Sequence, residues 1–317
     1  MLNCKTLAFL DKSAQNESVT FFEVCVILIL EPVRKKLKRG IIVIVKKYFG
    51  IEAKMSQQLI TATKDMTSEK SGDNSFQSTK VFLFDDYAVL KMQNINFRNV
   101  VTEDHDLKHL ESLAETLLEL KSKNVNVVPI LAFESDEGNG YMVQSRAKGT
   151  ELYDRHKMSI KDYVLNQVEL LSKAPQAHFD KFVADTIAII DAGVLIDFVG
   201  KDNFFYHESI GFQFIDLNAH EDFEYGLTDM KMQGKQIAVY GCFLPCYFDT
   251  MPQYLDTISK LLAELNDAER TSLNENNKNI FEKCKVAMLK NGITAQEIEE
   301  MISNDWFMPQ KQQLDLL

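Results

Sequence analysis

Alternation of apolar and polar positions is clearest in the middle third of the chain. Lys80-Val-Phe-Leu-Phe84 and Tyr87-Ala-Val-Leu-Lys-Met92 flank Asp85-Asp86. β-Branched and aromatic residues on both sides of a two-residue acidic turn predict a tight hairpin. Period-2 alternation puts Val89 and Lys91 on one face and Leu90 and Met92 on the other. The period then changes to 3.6: Leu107, Leu110, Leu113, Ala114, Leu117, Leu118 and Leu120 form a stripe that predicts a helix over about 103–122, with Thr102 as N-cap. Two further strands are expected over 125–133 and 140–145, then a connector at Arg146–Thr150. Helices are expected near 159–173 and 176–192, broken by Pro175 and stopped by Gly193.

The stretch from Ile190 to His220 is different in kind. Two short apolar pieces, Asn203–Tyr206 and Gly211–Ile215, surround a polar turn at His207-Glu-Ser209. Around this hairpin stand Asp197, Asn203 and Asp216. Carboxylate, amide and carboxylate are hard oxygen ligands of the sort Mg2+ takes, and a further carboxylate can orient a hydroxyl nucleophile. Beyond about residue 229 the pattern is mostly helical, with segments near 254–265, 268–290 and 295–304.

Charge changes the picture at the N-terminus. The chain carries −11, which speaks against sequence-independent nucleic-acid binding. Residues 1–55 hold ten Lys/Arg against five Asp/Glu, so the remainder carries −16. The apolar runs at 21–30 and 41–45 fall short of the roughly 20 residues that span a bilayer, so no transmembrane segment is expected. A peripheral membrane contact by residues 21–47 is one reading of their basic, apolar character. The plainer reading makes residues 1–54 an extension outside the fold, with Met55 as a working start and residues 55–71 as a polar lead-in.

Five scattered cysteines indicate reduced thiols and a cytoplasmic compartment. Cys242 and Cys246 lack a matching pair, and His105 and His109 lack a third ligand, so both pairs read as structural or solvent-facing.

Taken in order, the pieces are a strand, a strand with Lys, a helix with Glu, two strands, a connector, helices, an Asp…Asn hairpin, an Asp and more helices. That order resembles the protein-kinase-like superfamily, which includes Ser/Thr protein kinases and the aminoglycoside- and choline-type small-molecule kinases. The resemblance implies a two-lobed α+β fold: a small antiparallel-sheet N-lobe with one main helix over residues 72–146, and a mostly helical C-lobe over 147–310. It implies ATP and Mg2+ as cofactors. Lys91 is similar to the family's nucleotide-binding Lys, and Glu115 to the helix Glu that holds it, with Glu111 as second choice. Gln144–Gly149, including Arg146, resembles the connector whose backbone meets adenine. Asp197 resembles the catalytic Asp, and Asn203 and Asp216 the metal ligands.

The pattern also departs from the family. Asn74–Thr79 hold no Gly where a glycine-rich loop stands, and Leu195-Ile196 replace His-Arg before the catalytic Asp. The spacing from Asp197 to Asn203 is one residue longer than the family's usual spacing, and Leu217-Asn218 follow Asp216 in place of Phe-Gly. Three functions are compatible with these residues: an atypical Ser/Thr protein kinase, a small-molecule kinase whose acidic run Glu221–Asp229 attracts a cationic substrate, and a non-catalytic kinase-like binding module. The first two imply a protein or small-molecule hydroxyl as acceptor.

Overall fold

The computed structural model describes residues 25–26, 43–44, 46–68, 70–71, 78–93, 104–136, 139–151, 166–196, 203–215, 217–219 and 263–303. They divide into two compact units, one of residues 1–119 and 128–146, the other of 120–127 and 147–317.

The first unit is built on an antiparallel sheet. In chain order the elements are β1 (Cys25–Val26), β2 (Val43–Ile44), β3 (Lys46–Tyr48), α1 (Ala53–Ala62), β4 (Lys70–Ser71), β5 (Ser78–Leu83), β6 (Tyr87–Gln93), α2 (Asp104–Ser122), β7 (Ile130–Asp136) and β8 (Asn139–Ser145). β1 and β2 pair with each other, and six strands form a sheet in the order β3-β7-β8-β6-β5-β4. The expected hairpin forms with its two-residue turn, Phe84 N–H donating to Tyr87 O at 2.8 Å. Its inward positions make the core: Phe82, Val89 and Val143 lie side by side across three strands, with Ala132, Tyr141 and Leu59 packed against them. α2 forms over the expected range and buries Leu113, Ala114 and Leu117 of its stripe.

Two sequence expectations need correction here. Residues 1–54 are not wholly outside the fold, because β3 pairs with β7, Lys46 opposite Glu134 and Tyr48 opposite Ala132. Residues 55–71 are not a loose lead-in, because α1 buries Leu59 and Ser56, and β4 extends the sheet. The cause lies in a few buried contacts that a polar composition hides. Ser56 Oγ donates to Glu134 Oε1 at 2.7 Å, and Lys46 Nζ lies 3.4 Å from the other oxygen of that carboxylate. A buried charge is tolerated when it is paired and hydrogen-bonded in this way. The expected strand over 125–133 also starts later, at Ile130, after a buried irregular stretch that includes Val125, Val127 and Val128.

The second unit contains β9 (Thr150–Glu151), α3 (Val168–Lys173), α4 (Gln176–Asp191), β10 (Val194–Ile196), β11 (Phe204–His207), β12 (Gly211–Phe214), β13 (Leu217–Ala219), α5 (Asp267–Lys290) and α6 (Ala295–Ile302). β12-β11-β9 make one sheet and β10-β13 another. The hairpin β11–β12 packs on α4 through an aromatic cluster: the Phe182 ring lies 4.7 Å from Phe212, 5.3 Å from Phe214 and 6.3 Å from Phe204. Such tilted, stacked and edge-on pairs add to the gain from burial. At the hairpin tip, Ser209 N–H and Oγ both meet His207 Nδ1, at 3.2 and 2.9 Å.

α5 starts with a capping box in which Asn266 and Glu269 bond each other's backbone N–H. Its Lys283 ammonium donates to the Ser172 and Ala174 carbonyls where α3 ends. The predicted helix over 254–265 falls outside the described residues apart from its last turn, as do Cys242 and Cys246 and the side chains of His105 and His109. The chain is an α+β protein in which a small antiparallel sheet with one main helix precedes a largely helical unit. Among the described residues no helix is long and apolar enough to cross a membrane.

Candidate functional site

Lys91 lies near the end of β6, directly opposite Lys80 on β5 and Tyr141 on β8. Directly opposed residues of an antiparallel pair project to one face, so the two lysines are neighbours there. The Lys91 ammonium stands 5.6 Å from the Tyr141 ring centroid, a cation–π distance. Among the described residues neither lysine has an ion-paired carboxylate. Two like charges side by side on one strand pair are unfavourable unless something negative comes between them.

The helix carboxylates behave differently from expectation. Glu115 is exposed on α2. Glu111, one turn earlier, is ion-paired with Lys47 of β3. Glu111 is therefore engaged by Lys47. The physical reason is competition: the strand preceding α1 brings its own lysine to the half-buried Glu111.

The connector is more committed than a free loop. Gln144, the penultimate residue of β8, is in register with Ala88 and Ile130. Arg146 N–H donates to Asp86 O at 2.9 Å, and its guanidinium donates to Phe84 O at 2.8 Å. Lys148 N–H donates to the Gln213 side-chain oxygen at 2.6 Å. Of the backbone donors in the connector, those at Ser145, Arg146 and Lys148 are engaged within the protein. Gly149 has φ +93°, and a Cβ there would run into the Tyr206 carbonyl. Only glycine combines that dihedral with that approach. It brings β9 onto β11, Thr150 opposite Tyr206 and Glu151 opposite Phe205.

Asn203 stands at the foot of β11, where its carbonyl accepts Ile215 N–H at 3.0 Å. That bond places the residue just before Asp216 beside Asn203. Asp197 and Asp216 themselves lie outside the described residues. β10 and β13 bracket them: Ile196, the residue before Asp197, is opposite Leu217, the residue after Asp216. The backbone thus draws the flanks of all three expected oxygen ligands into one short segment pair. Among the described residues no group of three His, Cys, Asp or Glu side chains is placed to hold a metal. The donor set Asp197, Asn203 and Asp216 still fits Mg2+ chemically, being all oxygen.

Lys80 is the residue that sequence reasoning missed, although the turn predicts it. A two-residue turn at Asp85-Asp86 sets Phe84 against Tyr87, and counting back along both strands puts Lys80 against Lys91.

No family model and no curated protein matches the chain. Among solved structures it is similar to the pseudokinase domain of BIR2, an immune regulator of the RLK/Pelle family, at 15% sequence identity and a TM-score of 0.44, with 82% of this chain and 85% of that one covered. It is similar to WbdD at 14% identity and a TM-score of 0.34, covering 74% of this chain and 50% of that one. A second structure, of the bifunctional kinase-methyltransferase WbdD, gives 13% identity, a TM-score of 0.29, and 70% and 46% coverage. The chain spans about half the length of the WbdD chains it matches. In the order of its elements the chain resembles the protein-kinase-like superfamily.

Proposed function

We propose that the protein is an ATP- and Mg2+-dependent phosphotransferase acting on a hydroxyl, an atypical Ser/Thr protein kinase in its closest analogy. The observation that carries this reading is the Lys80–Lys91 pair on the central strands of the first unit, backed by Tyr141 and lacking a carboxylate among the described residues. Phosphoryl groups supply the negative charge such a pair asks for. Lys91 would bind nucleotide phosphate, with Lys80 assisting. Asn203 and Asp216 would hold Mg2+, which supplies charge neutralisation on the phosphates. Asp197 would accept the proton of the acceptor hydroxyl. Phosphoryl transfer needs positioning and charge more than covalent chemistry, so this short list suffices.

A second reading, a kinase-like module that binds nucleotide without turnover, is favoured by a different observation: Glu111 is held by Lys47, and among the described residues no helix carboxylate is ion-paired with Lys91. Thermal denaturation with and without Mg2+-ATP, alongside transfer of label from ATP to the protein or a generic acceptor, separates the two. Binding with transfer supports the enzyme, and binding without transfer supports the module. No thermal shift at millimolar Mg2+-ATP refutes both. Lys91→Met is expected to weaken nucleotide binding about tenfold or more, since a charged hydrogen bond to phosphate is worth about 1.5–3 kcal/mol.

A further inference from the structure

Each strand of the six-stranded sheet contributes one residue to a row that crosses a single face. Ser71 stands opposite Lys80, Lys80 opposite Lys91, Lys91 opposite Tyr141, Tyr141 opposite Glu134, and Glu134 opposite Lys46. Two residues along five of these strands, and so on the same face, runs an apolar row: Phe82, Val89, Val143, Ala132 and Tyr48. On the other side of the lysines that face carries Ser78, Gln93 and Asn139, all polar. The lysine pair therefore adjoins apolar surface on one side only, about 7 Å away along the strands.

That apolar surface is already covered. β3 and β4 are the two opposite edges of the sheet, roughly 24 Å apart at about 4.8 Å per strand, and α1 lies in the chain that joins them across this face. Leu59 of α1 is buried among Phe82, Val89, Ala132, Tyr141 and Val143, and Ile51 and Ile60 pack against the same group. The start of α1 is fastened to the polar row, where Ser56 Oγ donates to Glu134 Oε1. Phe82, Val89 and Val143 are buried, whereas Lys80 is exposed and Lys91 half-buried. The cover thus lies on the apolar row and leaves the lysines within reach of solvent.

We propose, on the reading that Lys80 and Lys91 bind nucleotide phosphate, that α1 is an autoinhibitory strap whose Leu59 holds the surface on which the nucleotide's base would lie. A triphosphate needs only the accessible ammonium groups. A base joined to it through ribose needs apolar surface next to them, and that surface is Phe82, Val89 and Val143, under Leu59. Phosphate binding is open in the strapped protein, and base binding is gained when α1 lifts. The strap is lightly held: Leu59 is the one apolar residue of α1 that is buried, and Ile60 is partly so. Elements with few buried apolar contacts are the ones that open at least cost.

Calorimetric titration of the full chain with Mg2+-tripolyphosphate and with Mg2+-ATP tests the strap separately from the phosphate site beside it. Wild type is expected to bind the two within about threefold of each other, because the gain from the base is offset by lifting α1. Leu59→Ala is expected to bind ATP about tenfold or more tightly than wild type, and tripolyphosphate unchanged, since affinity rises with the fraction of molecules already open. Ile60→Ala moves ATP affinity in the same direction and replaces Leu59→Ala if that variant does not fold. In wild type, saturating ATP is expected to speed amide hydrogen exchange in α1, and tripolyphosphate to leave it unchanged. The strap is overturned, with the phosphate site intact, if ATP leaves α1 exchange unaltered, if both variants bind ATP as wild type does, or if wild type already binds ATP about tenfold more tightly than tripolyphosphate. If wild type binds neither ligand, or if Lys91→Met binds tripolyphosphate undiminished, the nucleotide reading falls and the strap falls with it.

Discussion

Asp216→Ala is expected to lower Mg2+-dependent phosphoryl transfer by on the order of 10³-fold or more while leaving the melting temperature close to that of the parent. Removing one preorganised electrostatic contributor commonly costs about 10²–10³-fold, and the metal-ligand role proposed for Asp216 puts its loss at the upper end of that effect. The control is structural. Asp216 follows Ile215, whose N–H is fixed to the Asn203 carbonyl, and precedes β13, whose Leu217 is fixed opposite Ile196. The backbone on both sides is held by groups the substitution leaves alone. Steady-state rates across a Mg2+ titration check it. An Asp216→Ala protein with parental turnover and parental Mg2+ dependence would remove Asp216 from the metal site.

A chain shortened to begin at Met55 is expected to lose about 3–5 kcal/mol of stability. This range follows from breaking a buried ion pair by removing one partner and from uncovering apolar surface. The shortened chain lacks β3, and with it Lys46, whose ammonium faces the buried Glu134, and Lys47, the partner of Glu111. It also lacks Tyr48 and Ile51, which pack on the core cluster. Phe49 and Gly50 N–H groups no longer cap the Leu131 carbonyl. Removal leaves β7 as a bare sheet edge, a template for pairing with another chain. Denaturant midpoints and light scattering read the two effects; equal midpoints for both lengths would show that β3 contributes nothing to stability.

What the sequence made legible follows from where periodicity is strong. The 80–92 hairpin, helix α2 and the Asn203–Ile215 hairpin all carry several repeats of a clean pattern, and each formed where its pattern lies. β3 escaped because it is three residues long and contains two lysines, which look like part of a basic segment. As an edge strand it needs no alternating apolar face, and its lysines are satisfied by Glu134 and Glu111, far along the chain. α1 escaped for a related reason: its buried positions include Ser56, a polar residue whose partner is again Glu134.

The choice between Glu111 and Glu115 was not legible at all. Four residues apart, they lie on the same side of α2, and only the packing of that helix leaves Glu111 half-buried and Glu115 exposed. The Lys181–Asp185 pair, with its hydrogen bonds to Asn124 and Asn126, was equally hidden, since it joins segments that share no pattern.

The pairing of β3 with β7 also has a kinetic meaning. The hairpins β5–β6 and β7–β8 join neighbours along the chain, while β3 must close a long loop before its three residues gain anything. Loop closure is an entropic cost that comes before the contacts that offset it. The edge strand therefore docks late, onto a sheet already formed. A stabilising element absent from the folding transition state slows unfolding and leaves folding speed unchanged. Lys46 to Tyr48 thus act as a latch on the folded sheet, setting how long it survives between openings rather than how quickly it assembles.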